Sequence, residues 1–273
     1  MIKKILVPID FSVGSASALR YAEAMAASIQ AVHVRAIHVF TPQTASADAI
    51  TAAPVGELMD LADEAMVNFL DGIPVPDGVN RQHELLLGFS ADKIIEESKA
   101  YDLIVMGSSG SSDLLDEVFG SVASTVVDKA TCPVILVPRG TVFQNYKNVL
   151  YASNNLSLSR RAVLEFRAFN KLFHARVHFV HVKEEEDDKD LNRQAIFAKL
   201  FSTPDPSFSF DIREIEAESV QEGLREYLER HPIELAVMVT RRRGFWGRLF
   251  HHSDTRQMIL HPLTPVMVLH VVD

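Results

Sequence analysis

Cysteine is almost missing: Cys132 stands alone in 273 residues. No disulfide can close within this sequence, and no thiolate cluster can hold a metal. Long apolar runs are missing too; none approaches the roughly 18 residues of a membrane span, so no membrane contact is expected. The opening Met1-Ile2-Lys3-Lys4 is basic, but the apolar run behind it ends at Asp10. That is short for a secretory leader, and a cytoplasmic protein is the expectation. Positive charge is scarce: 27 Lys and Arg against 36 Asp and Glu give a formal net charge of −9. A general nucleic-acid binder needs a basic face and is excluded as a partner class. A small anion is not excluded, because backbone amides can hold one without net charge. A P-loop Gly-Lys-Ser/Thr, an HExxH pair and the context of a Ser-His-Asp triad are all lacking. The histidines, including His178, His181, His251 and His252, show no metal-ligand spacing and read as structural. The acidic run at 184–190 reads as a solvated segment. Cys132, beside Pro133 at a strand entry, reads as a packed thiol.

What is present repeats. A hydrophobic fraction of 47% fills a real core, and the length suits two domains of roughly 130–140 residues. Residues 3–12 line up with 147–156, residues 103–106 with 235–238, and residues 131–137 with 263–269. The pattern predicts a tandem duplication with its junction near 139–145, and domains at 1–140 and 146–273. Within the first half, strand-like runs at 5–9, 32–40, 83–87, 102–106 and 134–137 alternate with helical patterns at 16–29, 55–70, 91–98 and 121–129. The second half repeats the order, with helices near 157–173, 190–201, 220–230 and 255–261. Such alternation predicts an α/β fold whose parallel sheet is covered on both faces. Ligands of these sheets bind beyond the carboxyl ends of the strands, where the strand order reverses. The first and fourth strands flank that point.

The fourth strand ends in Met106-Gly107-Ser108-Ser109-Gly110, and after nine intervening residues Gly120-Ser121 opens the next helix. Glycine admits close approach of an anion to the main chain. The first amides of the helix lack intrahelical partners and sit at its positive end, where oxyanions bind. Asp10, at the end of the first strand, faces the same place. The alternative reading is a Ser/Gly-rich surface loop.

At these residues the sequence resembles the universal stress protein family in its tandem two-domain form. The carriers are Gly107, Gly110, Gly120 and Ser121 at the spacing Gly-x2-Gly-x9-Gly-Ser, the first-strand end Val7-Pro8-Ile9-Asp10, and the closing strand at 131–137. The resemblance implies two copies of a five-stranded, doubly wound, Rossmann-like domain related to adenine nucleotide alpha hydrolases. It also implies ATP, with Mg²⁺ as companion cation, across the switch point of the first half. Carried over by position, Asp10 faces the ribose or adenine end and Pro8 and Ile9 form the wall. Val39 offers backbone groups to the adenine edge, and Met106 and Gly107 lie under ribose and phosphates. Ser109, Gly110, Gly120, Ser121 and Val122 bind phosphates. Ala123 stands where some binding members carry a hydroxyl, and Phe11 follows Asp10 where glycine is common. The second copy departs: Ala152, Asn154, Val239, Arg242 and His252 replace Pro8, Asp10, Gly107, Gly110 and Gly120, and only Ser253 keeps its type. That copy is expected not to hold ATP in the family manner.

The leading expectation is an ATP-binding regulatory stress-response protein whose halves form an intrachain pseudo-dimer, with homodimers and an unknown protein partner left open. One alternative is a slow ATPase or self-phosphorylating enzyme using Ser109, Ser111, Ser112 or Ser121. No general base or Walker-type lysine supports it. The other is a nucleotide-free scaffold working through the segment 240–252, with Arg241, Arg242, Arg243 and Trp246.

Overall fold

The computed structural model describes residues 2–30, 33–41, 54–108, 120–152, 160–183, 208–241 and 264–271. In the first half β1 (Lys4–Pro8) leads to α1 (Val13–Ile29), β2 (His33–Phe40), α2 (Val55–Asp71) and β3 (Asn80–Leu87). Then come α3 (Ser90–Glu97), β4 (Leu103–Gly107), α4 (Ser121–Lys129) and β5 (Val134–Val137). The second half contains β6 (Asn148–Ala152), α5 (Arg160–Asn170), β7 (Arg176–Lys183) and β8 (Phe210–Glu216). It continues with α6 (Val220–Arg230), β9 (Leu235–Arg241) and β10 (Val266–Val271). The helices expected near 190–201 and 255–261 lie outside the described residues.

All ten strands form one sheet in the order β3-β2-β1-β4-β5-β10-β9-β6-β7-β8. Each half contributes five parallel strands, and the order 3-2-1-4-5 recurs as 8-7-6-9-10. The fold is therefore two tandem copies of a doubly wound α/β unit. The halves meet where β5 and β10 run antiparallel, pairing Leu136 with Val266, Ile135 with Met267 and Val134 with Val268.

Central strands are apolar on both faces, as a sheet covered on both sides requires. Ile5 and Val7 point into one core and Leu6 into the other, all fully buried. The first core packs Leu19 and Met25 of α1, Met66 of α2 and Phe166 of α5. The second packs Ile94 of α3, Val127 of α4 and Leu224 of α6. Both cores run through both halves. On the α1/α5 face the seam is aromatic: the Tyr21 and Tyr146 hydroxyls share a 2.6 Å hydrogen bond. Phe143 lies edge-on to Tyr21 at 5.3 Å, and Phe173 packs on Tyr146 at 4.5 Å. Burial pushes both phenols well above their ordinary range, so they stay neutral.

Several boundaries differ from the sequence reading: α1 starts at Val13, three residues before the expected 16, and two further shifts have a visible cause. β3 starts at Asn80, three residues before the expected 83. The extension pairs Asn80 with His33 and Arg81 with Val34. Arg81 forks onto the buried Glu23 carboxylate of α1 at 2.5 and 2.8 Å, and also donates to the Leu70 and Ile73 carbonyls. A charged residue thus enters a strand because a long-range partner satisfies it. α5 ends at Asn170, short of the expected 173. The Asn170 amide donates to the Ala175 carbonyl at 3.0 Å, and His174 takes a left-handed turn at φ 55°.

Candidate functional site

β1 stops because the chain turns at Asp10. Oδ1 of Asp10 accepts from the Ser12 amide at 3.1 Å and the Ser12 hydroxyl at 2.6 Å. That hydroxyl oxygen in turn caps α1 by accepting from the Ser15 amide at 3.1 Å. Phe11, between them, has φ 63°, the left-handed region. Its ring packs on His38 at 4.4 Å and on Phe69 at 5.7 Å.

The last rung between β1 and β2 is the Ile9 amide on the Ile37 carbonyl, at 2.7 Å. His33 also donates to β1, through the Lys3 carbonyl, whereas the Phe40 carbonyl faces β3 and accepts from Gly88. Strand alternation therefore turns the Val39 N–H and C=O toward the β1 side, beyond the point where β1 has ended. The Ile9 carbonyl, the next acceptor up the ladder, is taken by Nδ1–H of His38 at 2.8 Å.

On the other flank β4 ends at Gly107, which pairs with Val137. The Ser108 amide donates to the Val137 carbonyl at 3.0 Å, and the Gly120 amide returns to the Ser108 carbonyl at 3.2 Å. That bond closes the base of the loop and delivers Gly120 as N-cap of α4, at φ −57° and ψ 149°. Having no side chain, Gly120 leaves the first amides of α4 uncovered from its side.

Between these flanks lies an open cavity of about 300 Å³. Pro8, Ile9 and Asp10 line it from β1 and Val39 from β2. Met106 and Gly107 line it from β4, and Gly120, Ser121, Val122 and Ala123 from the start of α4. Ten of the residues singled out by sequence thus surround one space. Ser109 and Gly110 lie outside the described residues, as do Ser111 and Ser112. The cavity also takes Ser15, Ile37, His38, Ser90 and Ile94, which the sequence reading missed. The Ser15 hydroxyl is spent on the Ser12 carbonyl at 3.0 Å. Its chemistry is graded along the sheet edge: apolar at Ile37, Val39 and Ile94, carboxylate at Asp10, then glycine and helix amides. That gradient matches an amphiphilic ligand with an apolar end and an anionic end.

The second half differs at the equivalent place. β9 does not stop at Val239, the counterpart of Gly107, but continues to Arg241, paired with β10 as far as Val271. Asn154, His251, His252, Ser253 and the segment 242–250, with Arg242, Arg243 and Trp246, lie outside the described residues, as does 184–190. His178 is held by the Tyr227 hydroxyl at 2.8 Å, and burial lowers its pKa. Among the described residues no group of three or more His, Cys, Asp or Glu is placed to hold a metal. Nor is any helix there long and apolar enough to cross a membrane. Cys132 is buried, as a packed thiol should be.

The model of the universal stress protein family matches residues 1–138. A universal stress protein of Methanocaldococcus jannaschii is 32% identical over 145 residues, covering 50% of this chain and 82% of that protein. A second from the same organism is 28% identical over 157 residues, covering 51% and 96%. The crystal structure of a universal stress protein from Archaeoglobus fulgidus matches 99% of this chain and 97% of its own, with a TM-score of 0.74 at 19% identity. That match extends the likeness of fold across both halves.

Proposed function

The chain belongs to the universal stress protein family, and from that premise we propose that its first half, residues 1–140, binds ATP as a regulatory ligand. The second half, 146–273, is its structural partner and does not bind nucleotide in the same manner. The observation that carries this reading is the graded cavity at the β1/β4 switch point. Adenine lies against Ile37, Val39 and Ile94. The ribose passes Asp10 and Met106. The phosphates reach Gly107, the amides of Ser121, Val122 and Ala123, and the Ser121 hydroxyl.

Magnitudes require all of these together. A micromolar ligand needs about 8 kcal/mol. One helix N-terminus supplies about 0.3–1 kcal/mol at an exposed site, and one hydrogen bond about 0.5–1.5 kcal/mol. Burial of the base must add to several amide contacts. The donor set suits a phosphate chain because it is made of N–H groups. For a divalent cation the cavity offers one carboxylate, Asp10, whose Oδ1 is already engaged by Ser12. Magnesium would be held mainly by the phosphates, because Asp10, the one carboxylate among the described lining residues, stands beside the ribose. It would neutralise phosphate charge there.

Gly120→Val tests the reading. Its backbone angles are open to any residue, so the change costs the free protein only about 1 kcal/mol at the cap. A Cβ there stands among the phosphate-binding amides. Millimolar ATP should raise the melting temperature of the native chain and leave Gly120→Val unmoved. An equal rise in both, or none in either, overturns the assignment.

A further inference from the structure

We propose that His38 and Phe11 are positioning residues that end the β1–β2 ladder one bridge early and so present the Val39 peptide to the base. The inference rests on the ATP reading above and assigns base selectivity within that site.

Were the parallel ladder to continue, the next bridge would join Asp10 to Val39. The Val39 amide would then donate to the Ile9 carbonyl, and the Phe11 amide to the Val39 carbonyl. Both bonds are diverted. The His38 imidazole already donates to the Ile9 carbonyl at 2.8 Å. Phe11, at φ 63°, leaves extended geometry, so the chain does not continue as a strand beside Val39. The two diversions support each other, because the Phe11 ring packs on His38 at 4.4 Å and on Phe69 beyond it. A non-glycine residue in the left-handed region costs of order 1 kcal/mol and persists only where its surroundings hold it; here the two rings do so.

What remains is a donor and an acceptor side by side on Val39, which lines the cavity. Their polarity is specific. Adenine presents an acceptor, N1, beside a donor, the N6 amino group. Guanine presents N1–H and O6, the reverse. The Val39 pair therefore accepts adenine and opposes guanine, and it does so without any side chain of its own.

Two substitutions isolate the device. His38→Phe keeps an aromatic ring under Phe11 but removes the donor, so the Val39 amide closes onto the Ile9 carbonyl. His38→Gln restores a donor of similar reach. Amide exchange at Val39, followed by NMR in the nucleotide-free chain, should be fast in the native protein and in His38→Gln, and protected in His38→Phe. Calorimetry should show ATP affinity falling roughly three- to tenfold in His38→Phe, the loss of about one hydrogen bond. The preference for ATP over GTP should shrink with it, while tripolyphosphate binds as before. A Val39 amide equally protected in all three proteins overturns the proposal. So does an unchanged ATP/GTP ratio in His38→Phe. Failure of the native chain to bind ATP would sink the ATP reading itself, whereas the exchange comparison still decides whether His38 diverts the rung.

Discussion

Cys132 shows how one residue's environment fixes its chemistry. It stands before Pro133 at the entry to β5, 7% exposed, against the second core. Burial pushes its thiol from near 9 up to about 12. A thiolate is the reactive form, so the native chain should resist thiol reagents and react only as fast as it unfolds. The raised value also has a pH signature. The thiol's contribution to stability is complete below about 9 and is lost as pH rises toward 12, because the unfolded chain ionises first. Denaturant melts of native protein and Cys132→Ala should therefore converge by about 2 kcal/mol between pH 8 and 11. A constant gap, or a native thiol that reacts freely, contradicts the packed-thiol account.

Among the elements, α6 is set by a glycine that conformation alone does not demand. A Cβ on Gly223 would lie 2.7 Å from Cγ1 of Val182 on β7 and 3.1 Å from Cβ of Ala217. The helix is thus seated on the sheet at a distance only a bare backbone allows. Gly223→Ala should cost about 1–3 kcal/mol by overpacking. Combined with Val182→Ala, which opens the space, it should cost clearly less than the sum of the single changes. Strict additivity in urea melts would show that the contact does not set the seating. Gly223 was not singled out in the sequence, since nothing local marks it.

Other elements were legible for a plain reason. Ile5, Leu6 and Val7, or Leu103, Ile104 and Val105, are apolar at every position because both sheet faces are covered. The edge strand β3 was harder to delimit, because Asn80, Arg81 and Gln82 carry no apolar run and Arg81 is satisfied by Glu23 from far along the chain. The same distinction holds within the site. Glycine spacing announces Gly107, Gly120 and Ser121 directly. His38, Ser15, Ser90 and Ile94 reach the cavity only because of where a ladder stops and where two helices begin, which no short motif encodes.

Across the whole molecule the halves are one body in the sheet and unlike at their edges. The β5–β10 pairing, the Tyr21–Tyr146 bond and the two continuous cores tie them together. His270 of β10 adds another tie, donating through Nε2 to the Val127 carbonyl in α4, the helix that opens at the cavity. Yet β4 stops at Gly107 where β9 runs on through Val239 to Arg241. One half thus ends its strand at a glycine where the other half runs on, which fits the proposal of one polyanion site per chain. Calorimetric titration with ATP at known protein concentration measures that number directly. A single saturable site per chain is the expected result; no heat of binding, or two equivalent sites, would contradict it.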